Sequence, residues 1–310
     1  MNDPRVRHPR RSVDGLLLLD KPSGSTSNAA LQRVKWLFQA RKAGHTGSLD
    51  PLASGMLPLC FGEATKFAGY LLDADKTYRV QARFGIRTDT ADADGAVVET
   101  NPRGSVPLAD LQAAMRDFEG PIAQVPPMYS ALKQAGQRLY TLARAGREVA
   151  REARPVHIHE FVVESYDPHA PVLRVRCSKG TYVRTLVEDL ALRLGTLAHV
   201  IALRRLAVAP FAGYPMLPMA VVEAAANDGQ AALDRLLQPL EAILPEWPAL
   251  HLGNEQAVRM RLGNSSVLPV PHAPGPVRLY GPGPVFLGVG EVLPEGRVIP
   301  RRLLAHDSPD

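Results

Sequence analysis

Cysteine is close to absent. The 310 residues hold 2, Cys60 and Cys177. Both lie in apolar, strand-like segments. The sequence does not decide between a disulfide and two thiols, and buried thiols in a reducing compartment are the simpler reading. No His/Cys grouping has zinc spacing, so no structural metal is expected. Long hydrophobic runs are missing too. No stretch of 18 or more uncharged apolar residues occurs, so no membrane-spanning helix is expected. Ahead of Asp14 there is no apolar segment of signal-peptide length. The four leucines at 16–19 are too few for one and are closed by Asp20. A cytoplasmic location follows as the expectation. There is no internal repeat, and no motif for a redox or group-transfer cofactor. Lysine is scarce beside arginine.

What is present is a hydrophobic content of 45% and a formal net charge of +5. The first supports a sizeable core in one large or two modest domains. The second favours a polyanionic partner, although an arginine-rich composition can arise without one. The distribution says more than the sum. Arg5, Arg7, Arg10 and Arg11 lie in residues 1–13, read as a disordered basic tail. Arg138, Arg144, Arg147, Arg151 and Arg154 cluster with only Glu148 and Glu152 against them, and are candidate phosphate contacts.

Periodicity predicts a mixture of strands and helices. Gly15 to Asp20 reads as a buried strand, followed by a Pro-Ser-Gly turn. Thr26 or Ser27 can cap a helix with Leu31, Val34, Leu37 and Phe38 on one face. Tyr78, Val80, Ala82 and Phe84 alternate with Arg79, Gln81 and Arg83, the pattern of a half-buried strand. Residues 107–118 read as a helix with Leu108, Leu111, Met115 and Phe118 inward, and 172–177 as a second alternating strand. A further helix runs from about Val183 to Leu194 and stops at Gly195. This is an α+β chain with a mixed sheet. After about residue 245 the chain becomes rich in Gly and Pro with short apolar runs, as in a small β-barrel.

The segment Gly44-His45-Thr46-Gly47-Ser48-Leu49-Asp50-Pro51-Leu52-Ala53-Ser54-Gly55 presents one carboxylate among glycines and turn-forming residues. Gly44, Gly47 and Gly55 are expected to allow conformations that a Cβ would block. Alone, Asp50-Pro51 reads more readily as an ordinary turn. TDTADADG at 88–95 fails as a calcium loop, because the first ligand position falls on Thr90 and the twelfth on Asn101. Arg184, near the start of a helix, could pair with Glu188. That pairing is the poorer orientation, and a cation is disfavoured at the positive helix end.

Taken together, GHTGSLDPLASGMLPLCFGEATKF, GLLLLDKPSGSTSNAAL, DKTYRVQARFGIRTDTADADG, QVPPMYSALKQAGQRLYTLARAG, CSKGTYVRTLVEDL and AHVIALRRLAV resemble the TruB family of tRNA pseudouridine synthases, in family order over most of 15–210. The resemblance implies isomerisation of uridine 55 in the tRNA T loop, on a base flipped out of the loop, with Asp50 as nucleophile and no cofactor. It implies that Arg184 pairs with Asp50 through a bidentate fork. Tyr78 would stack on the base and relay a proton, and His45, Lys66, Tyr182 and Leu203 would contact substrate. It implies a catalytic domain at 14–246 with an RNA-contacting insertion at about 124–154, and a PUA-like RNA-binding domain at 247–310 that carries no catalytic residue. The expected partner is the tRNA T stem-loop, engaged by a monomer without membrane or obligate protein partners. Two other readings are kept: a tRNA-folding chaperone in which catalysis is secondary, and a guide-RNA-dependent relative, which the lack of long charged tails disfavours.

Overall fold

The computed structural model describes residues 10–130, 132–134, 136–270, 272–283 and 285–305. Arg5 and Arg7 of the basic tail lie outside the described residues, whereas Arg11, expected in that disordered tail, is ordered: its backbone bonds Gln39 and Arg41 and its guanidinium bonds Asp234 at 2.6 and 2.7 Å. The chain folds as the mixed α+β arrangement expected. A nine-stranded sheet runs in the order Leu217–Pro218, Gly15–Lys21, Ser54–Phe61, Ala198–Val208, Lys76–Phe84, Val172–Cys177, Arg154–Ser165, Gly120–Gln124, with Ala43–His45 paired on Ser54–Phe61. Ala198–Val208 joins Ser54–Phe61 in parallel and Lys76–Phe84 antiparallel. A second sheet of five strands, from Ala249–His251 to Ser266–Val267, forms the C-terminal part and curls without closing.

The continuous leucine run is explained by burial on both faces of its strand. Leu17 and Leu19 enter the core under the helices, whereas Leu16 and Leu18 enter a second core on the other face. Helix Ser27–Leu37 is capped by Thr26, whose hydroxyl accepts the Ala29 amide at 3.1 Å, and it buries Leu31, Val34, Leu37 and Phe38. Val80, Ala82 and Phe84 are buried on Lys76–Phe84, as are Leu173, Val175 and Cys177 on Val172–Cys177. Both cysteines are free and buried. Helix Val183–Arg193 ends before Gly195, which has φ +69°.

The structure departs from the expectation in three further places. The third helix spans Leu108–Arg116, and Leu108 is exposed instead of inward. It is the first residue of the helix after Pro107, and the buried face begins only one turn later, at Leu111, and continues with Ala114 and Met115. Gly44 needs no glycine freedom, because a Cβ there meets nothing within 4 Å. The C-terminal sheet does not own a fully separate core. Val289, with Phe286, Trp247 and Leu304, packs against Leu16, Leu18, Met56 and Phe67.

Candidate active site

The turn after Gly15–Lys21 and the start of helix Ser27–Leu37 clamp the loop that carries Asp50. Ser27 does not cap its own helix. Its hydroxyl accepts the Leu49 amide at 2.7 Å and donates to the Leu49 carbonyl at 3.0 Å. Gly24 donates its amide to Pro51 O at 2.8 Å, and Ser23 Oγ donates to Leu52 O at 2.8 Å. From the far side Arg205 Nη2 donates to Gly47 O at 3.1 Å. Gly47, at φ +85°, lies in the left-handed region. The carboxylate is therefore carried on a loop anchored on both sides of it, at Gly47, Leu49, Pro51 and Leu52.

Asp50 and Arg184 come together, but not through a fork. Arg184 Nε lies 2.9 Å from Asp50 Oδ2. Nη1 reaches Asp92 Oδ2 at 3.4 Å and Thr90 O at 2.6 Å, and Nη2 donates to Tyr129 O at 2.8 Å. The expected bidentate pairing with Asp50 is replaced by a guanidinium shared among three segments. Arg184 and Asp92 are both about 95% buried, whereas the Asp50 side chain keeps 39% of its surface open. The carboxylate is thus open on one side and held from behind by the buried guanidinium. Desolvation raises the Asp50 pKa above the ordinary aspartate value. Arg184 opposes the rise, Asp92 adds to it, and Lys21 opposes it more weakly.

Asp50 and Arg184 line a cleft of about 330 Å³ together with Tyr78, Tyr182, Leu203 and Arg205, within the range for a small-ligand site. Tyr78 stands opposite Arg205 in the strand register. Burial raises its phenol pKa, and the Arg205 guanidinium pulls against that rise. Tyr182 precedes helix Val183–Arg193, and its backbone is gripped by the buried Gln124 amide at 2.7 and 3.1 Å. Burial raises the Tyr182 pKa.

The remaining candidates are not brought to the cleft. His45 sits on Ala43–His45, ahead of the loop. Its Nδ1 is buried without a hydrogen-bond partner among the described residues, and burial lowers its pKa. Lys66 bonds to Glu63 at 2.6 Å and to Leu303 O at 3.0 Å, so it ties the catalytic part to the C-terminal sheet. Arg147 and Arg154 are exposed, and Arg151 pairs with Glu148 at 3.2 Å. Arg138 lies on Gln137–Arg138 and Arg144 on Leu139–Arg144, with side chains outside the described residues. Among the described residues no His/Cys/Asp/Glu group suited to a metal is present, and no helix is long and apolar enough to cross a membrane.

Three residues of the site escaped the sequence. Asp92 comes from the rejected calcium-like loop, where nothing local marks it as a partner for Arg184. Lys21 is fully buried, and its ammonium donates to Pro22 O at 2.8 Å and Ser25 O at 2.7 Å. Burial takes its pKa down to about 8, with Asp50 opposing the fall. Arg205 had a signal. Adjacent residues of a strand face opposite sides, so Arg204-Arg205 had to send one guanidinium inward. Arg204 pairs outward with Asp20 at 2.7 and 2.9 Å. Arg205 is 1% exposed and donates to Met56 O at 2.6 Å.

Comparison with known proteins gives a consistent picture. Residues 35–183 match the description "TruB family pseudouridylate synthase (N terminal domain)". Residues 184–245 match "tRNA pseudouridylate synthase B C-terminal domain", and 248–304 match "Pseudouridine synthase II TruB, C-terminal". Among similar proteins, a tRNA pseudouridine synthase B of Nitrosococcus oceani is 49% identical over 97% of this chain and 98% of its own. One of Ectopseudomonas mendocina is 51% identical over 97% and 98%. A solved H/ACA RNP bound to a substrate RNA containing 2'-deoxyuridine aligns with TM-score 0.71 at 22% identity, covering 95% of this chain and 85% of that one. A Cbf5-Nop10-Gar1 complex aligns with TM-score 0.69 at 23% identity over 91% and 79%. At these identities the solved structures speak for the fold.

Proposed function

We propose, because this chain belongs to the TruB family of pseudouridylate synthases, that it converts uridine 55 in the T loop of tRNA to pseudouridine. The observation that carries the reading is the half-open Asp50 carboxylate, held from behind by buried Arg184 and facing Tyr78 across one cleft. The site is small and recessed, and a stacked base hides its reacting atoms, so the uridine enters it flipped out of the RNA.

The reaction breaks the bond from ribose C1′ to uracil N1, turns the base and joins C1′ to C5. Asp50 is the nucleophile. Its carboxylate can add to uracil C6, in which case it leaves after the C–C bond has formed, or to ribose C1′, in which case it is displaced as C5 bonds to C1′; either way it is regenerated and nothing is gained or lost overall. The C5 proton must then depart to a base, and N1 must take one up. Tyr78 supplies the stacking face, and its hydroxyl is the relay for the C5 proton. Arg184 keeps Asp50 aimed and favours its ionised form, while Arg205 fixes both the Gly47 carbonyl and the Tyr78 side. Tyr182 and Leu203 wall the base in.

The protein acts in this reading as a cytoplasmic monomer without a cofactor. Residues 14–246 carry the chemistry, with the 124–154 insertion on the RNA, and 247–310 serve as a PUA-like RNA-binding module. The deciding experiment is incubation with an unmodified tRNA transcript followed by mapping of pseudouridine. Modification at position 55 is expected. Modification elsewhere would overturn the position, and none at all would overturn the activity.

A further inference from the structure

A uracil brings its own polar groups into the cleft. Its carbonyl oxygens and its N3–H each need a partner once they leave water, because a buried polar group left unpaired costs more than a formed bond returns. The polar side chains that line the cleft and are more than nine-tenths buried belong to Lys76, Ser130, Arg184 and Arg205. Three of these are already used by the protein. The Lys76 ammonium donates to the carbonyls of Leu71, Leu72 and Ala74. Arg184 is divided among Asp50, Asp92, Thr90 O and Tyr129 O, and Arg205 holds Met56 O and Gly47 O. Ser130 differs. It is 5% exposed, and its hydroxyl oxygen is closed to solvent with no hydrogen-bond partner among the described residues. Even the shallower hydroxyls of the lining are bonded within the chain. Ser178 Oγ accepts the His157 amide at 2.9 Å, and Thr181 Oγ1 donates to Ser178 O at 3.0 Å.

Folded proteins seldom strand a buried hydroxyl, and this one stands on tied backbone. The Ser130 amide donates to Met128 O at 2.9 Å, and its carbonyl accepts the Tyr140 amide at 3.1 Å. The carbonyl just before it, Tyr129 O, accepts Arg184 Nη2 at 2.8 Å, while Nε of the same guanidinium lies 2.9 Å from Asp50 Oδ2. One rigid planar group therefore sets the spacing between the Ser130 backbone and the Asp50 carboxylate. A serine side chain has three staggered positions, so a single rotation about Cα–Cβ re-aims the hydroxyl while the backbone stays. The turn of the base defines what a hydroxyl at this place can do. Half a turn of uracil about the line from N3 to C6 puts C5 where N1 stood, and it also exchanges C2 with C4. The carbonyl oxygens change places. A donor beside one of them in the substrate therefore meets the other in the product.

We propose that Ser130 is a further substrate contact of the uridine isomerisation: on entry of the base its hydroxyl turns into the cleft and donates to the uracil carbonyl oxygen beside it, either O2 or O4 before the turn and the other one after. The contact deepens the function proposed above and rests on it. It also accounts for a hydroxyl that the free protein leaves unpaired, since the seated base supplies the missing acceptor.

The test compares Ser130→Ala with the parent by thermal midpoint, by equilibrium binding of an unmodified tRNA transcript and by single-turnover rate at saturating transcript. The hydroxyl gives the free protein no bond, so the midpoint should hold or rise. Backbone contacts keep the transcript bound whether or not its base is seated, so affinity should stay within about 2-fold. The loss falls on the seated fraction, and the rate should drop about 5- to 10-fold, the size of one neutral hydrogen bond. Tyr182 carries another hydroxyl of the cleft lining. In a Tyr182→Phe background Ser130→Ala should cost the same factor, because the base and not the phenol is its partner. A rate matching the parent's would overturn the contact. A midpoint lowered in step with the rate would overturn it as well, by making the hydroxyl part of the fold. So would a loss that vanishes in the Tyr182→Phe background. Failure of the function itself looks different: the wild-type protein then makes no pseudouridine at position 55.

Discussion

Arg184 divides one guanidinium among four oxygens on three segments, of which Asp50 is one. Its replacement by Lys keeps the charge but gives a single ammonium that cannot span them. Single-turnover rate on saturating transcript should fall by at least about 100-fold, and stability should fall too, because Asp92 is left buried with a poorer partner. A near-normal rate would show that the shared geometry is dispensable. Asp50→Asn should abolish turnover and leave tRNA affinity within a few-fold, since the proposed phosphate contacts lie elsewhere. Turnover that persists after deamidation has been excluded would sink the nucleophile. The raised Asp50 pKa has a kinetic sign. The carboxylate must be ionised to attack, so rate is lost as pH falls, and desolvation places that loss above the ordinary aspartate range of about 3.9. Asp92 contributes to the rise, so Asp92→Asn should move the acid limb of the pH–rate profile to lower pH. An unmoved limb would mean that Asp92 does not act on Asp50 by charge.

Two elements have sharp requirements of their own. Strand Ser54–Phe61 passes so close to Ala198–Val208 that a Cβ on Gly55 would lie 2.2 Å from the Arg205 carbonyl oxygen, at φ +103°. Backbone cannot yield as a side chain does. Gly55→Ala should destabilise by about 2–4 kcal/mol in denaturant unfolding and loosen the Asp50 loop with it. A loss under about 0.5 kcal/mol would mean that the two strands separate freely. On helix Val183–Arg193, burial raises Glu188 from 4.5 to about 7. Below the lower value the carboxyl is protonated in both folded and unfolded chains. Between the two, the unfolded chain ionises first, so stability falls as pH rises. Glu188→Gln should therefore stabilise the protein by about 1 kcal/mol near pH 8, after allowance for solvent, and change little near pH 4. Equal effects at both pH values would contradict the cause.

The whole molecule is knitted by the core on the second face of the leucine strand. Phe67 and Phe286 meet at 6.0 Å, and Tyr70 and Trp247 at 5.0 Å. Lys66 and Glu63 bond the Leu303 carbonyl and Ala305 amide. The C-terminal module looked separable in the sequence, so that its loss would weaken RNA binding more than chemistry. The shared core changes that expectation. Truncation after residue 247 should uncover Leu16, Leu18 and Phe67, lower the melting temperature and reduce soluble yield. A truncated chain with an unchanged melting temperature and a lower RNA affinity would restore the separable module. Lys66→Met should lower the unfolding temperature by a few degrees and leave the single-turnover rate at saturation intact. A selective loss of rate would return Lys66 to the substrate.

Strand and helix positions were legible because periods of 2 and 3.6 are local, and a buried face is visible in a single segment. The Asp50 loop, the Arg184 helix and the family were legible because their residues are contiguous in short motifs. Tertiary structure alone decided what faces what. Arg184 was legible as a cation out of place at a helix start, but its sharing between Asp50 and Asp92 joins loops 42 residues apart in sequence. Lys66 read as a substrate lysine until Leu303 lay beside it. Both faces of the leucine strand were legible as apolar, but only the folded chain assigned one of them to the C-terminal sheet. Apolar burial is satisfied by any neighbour of suitable shape, whereas a buried charge needs a particular partner, and that partner is chosen by the path of the chain.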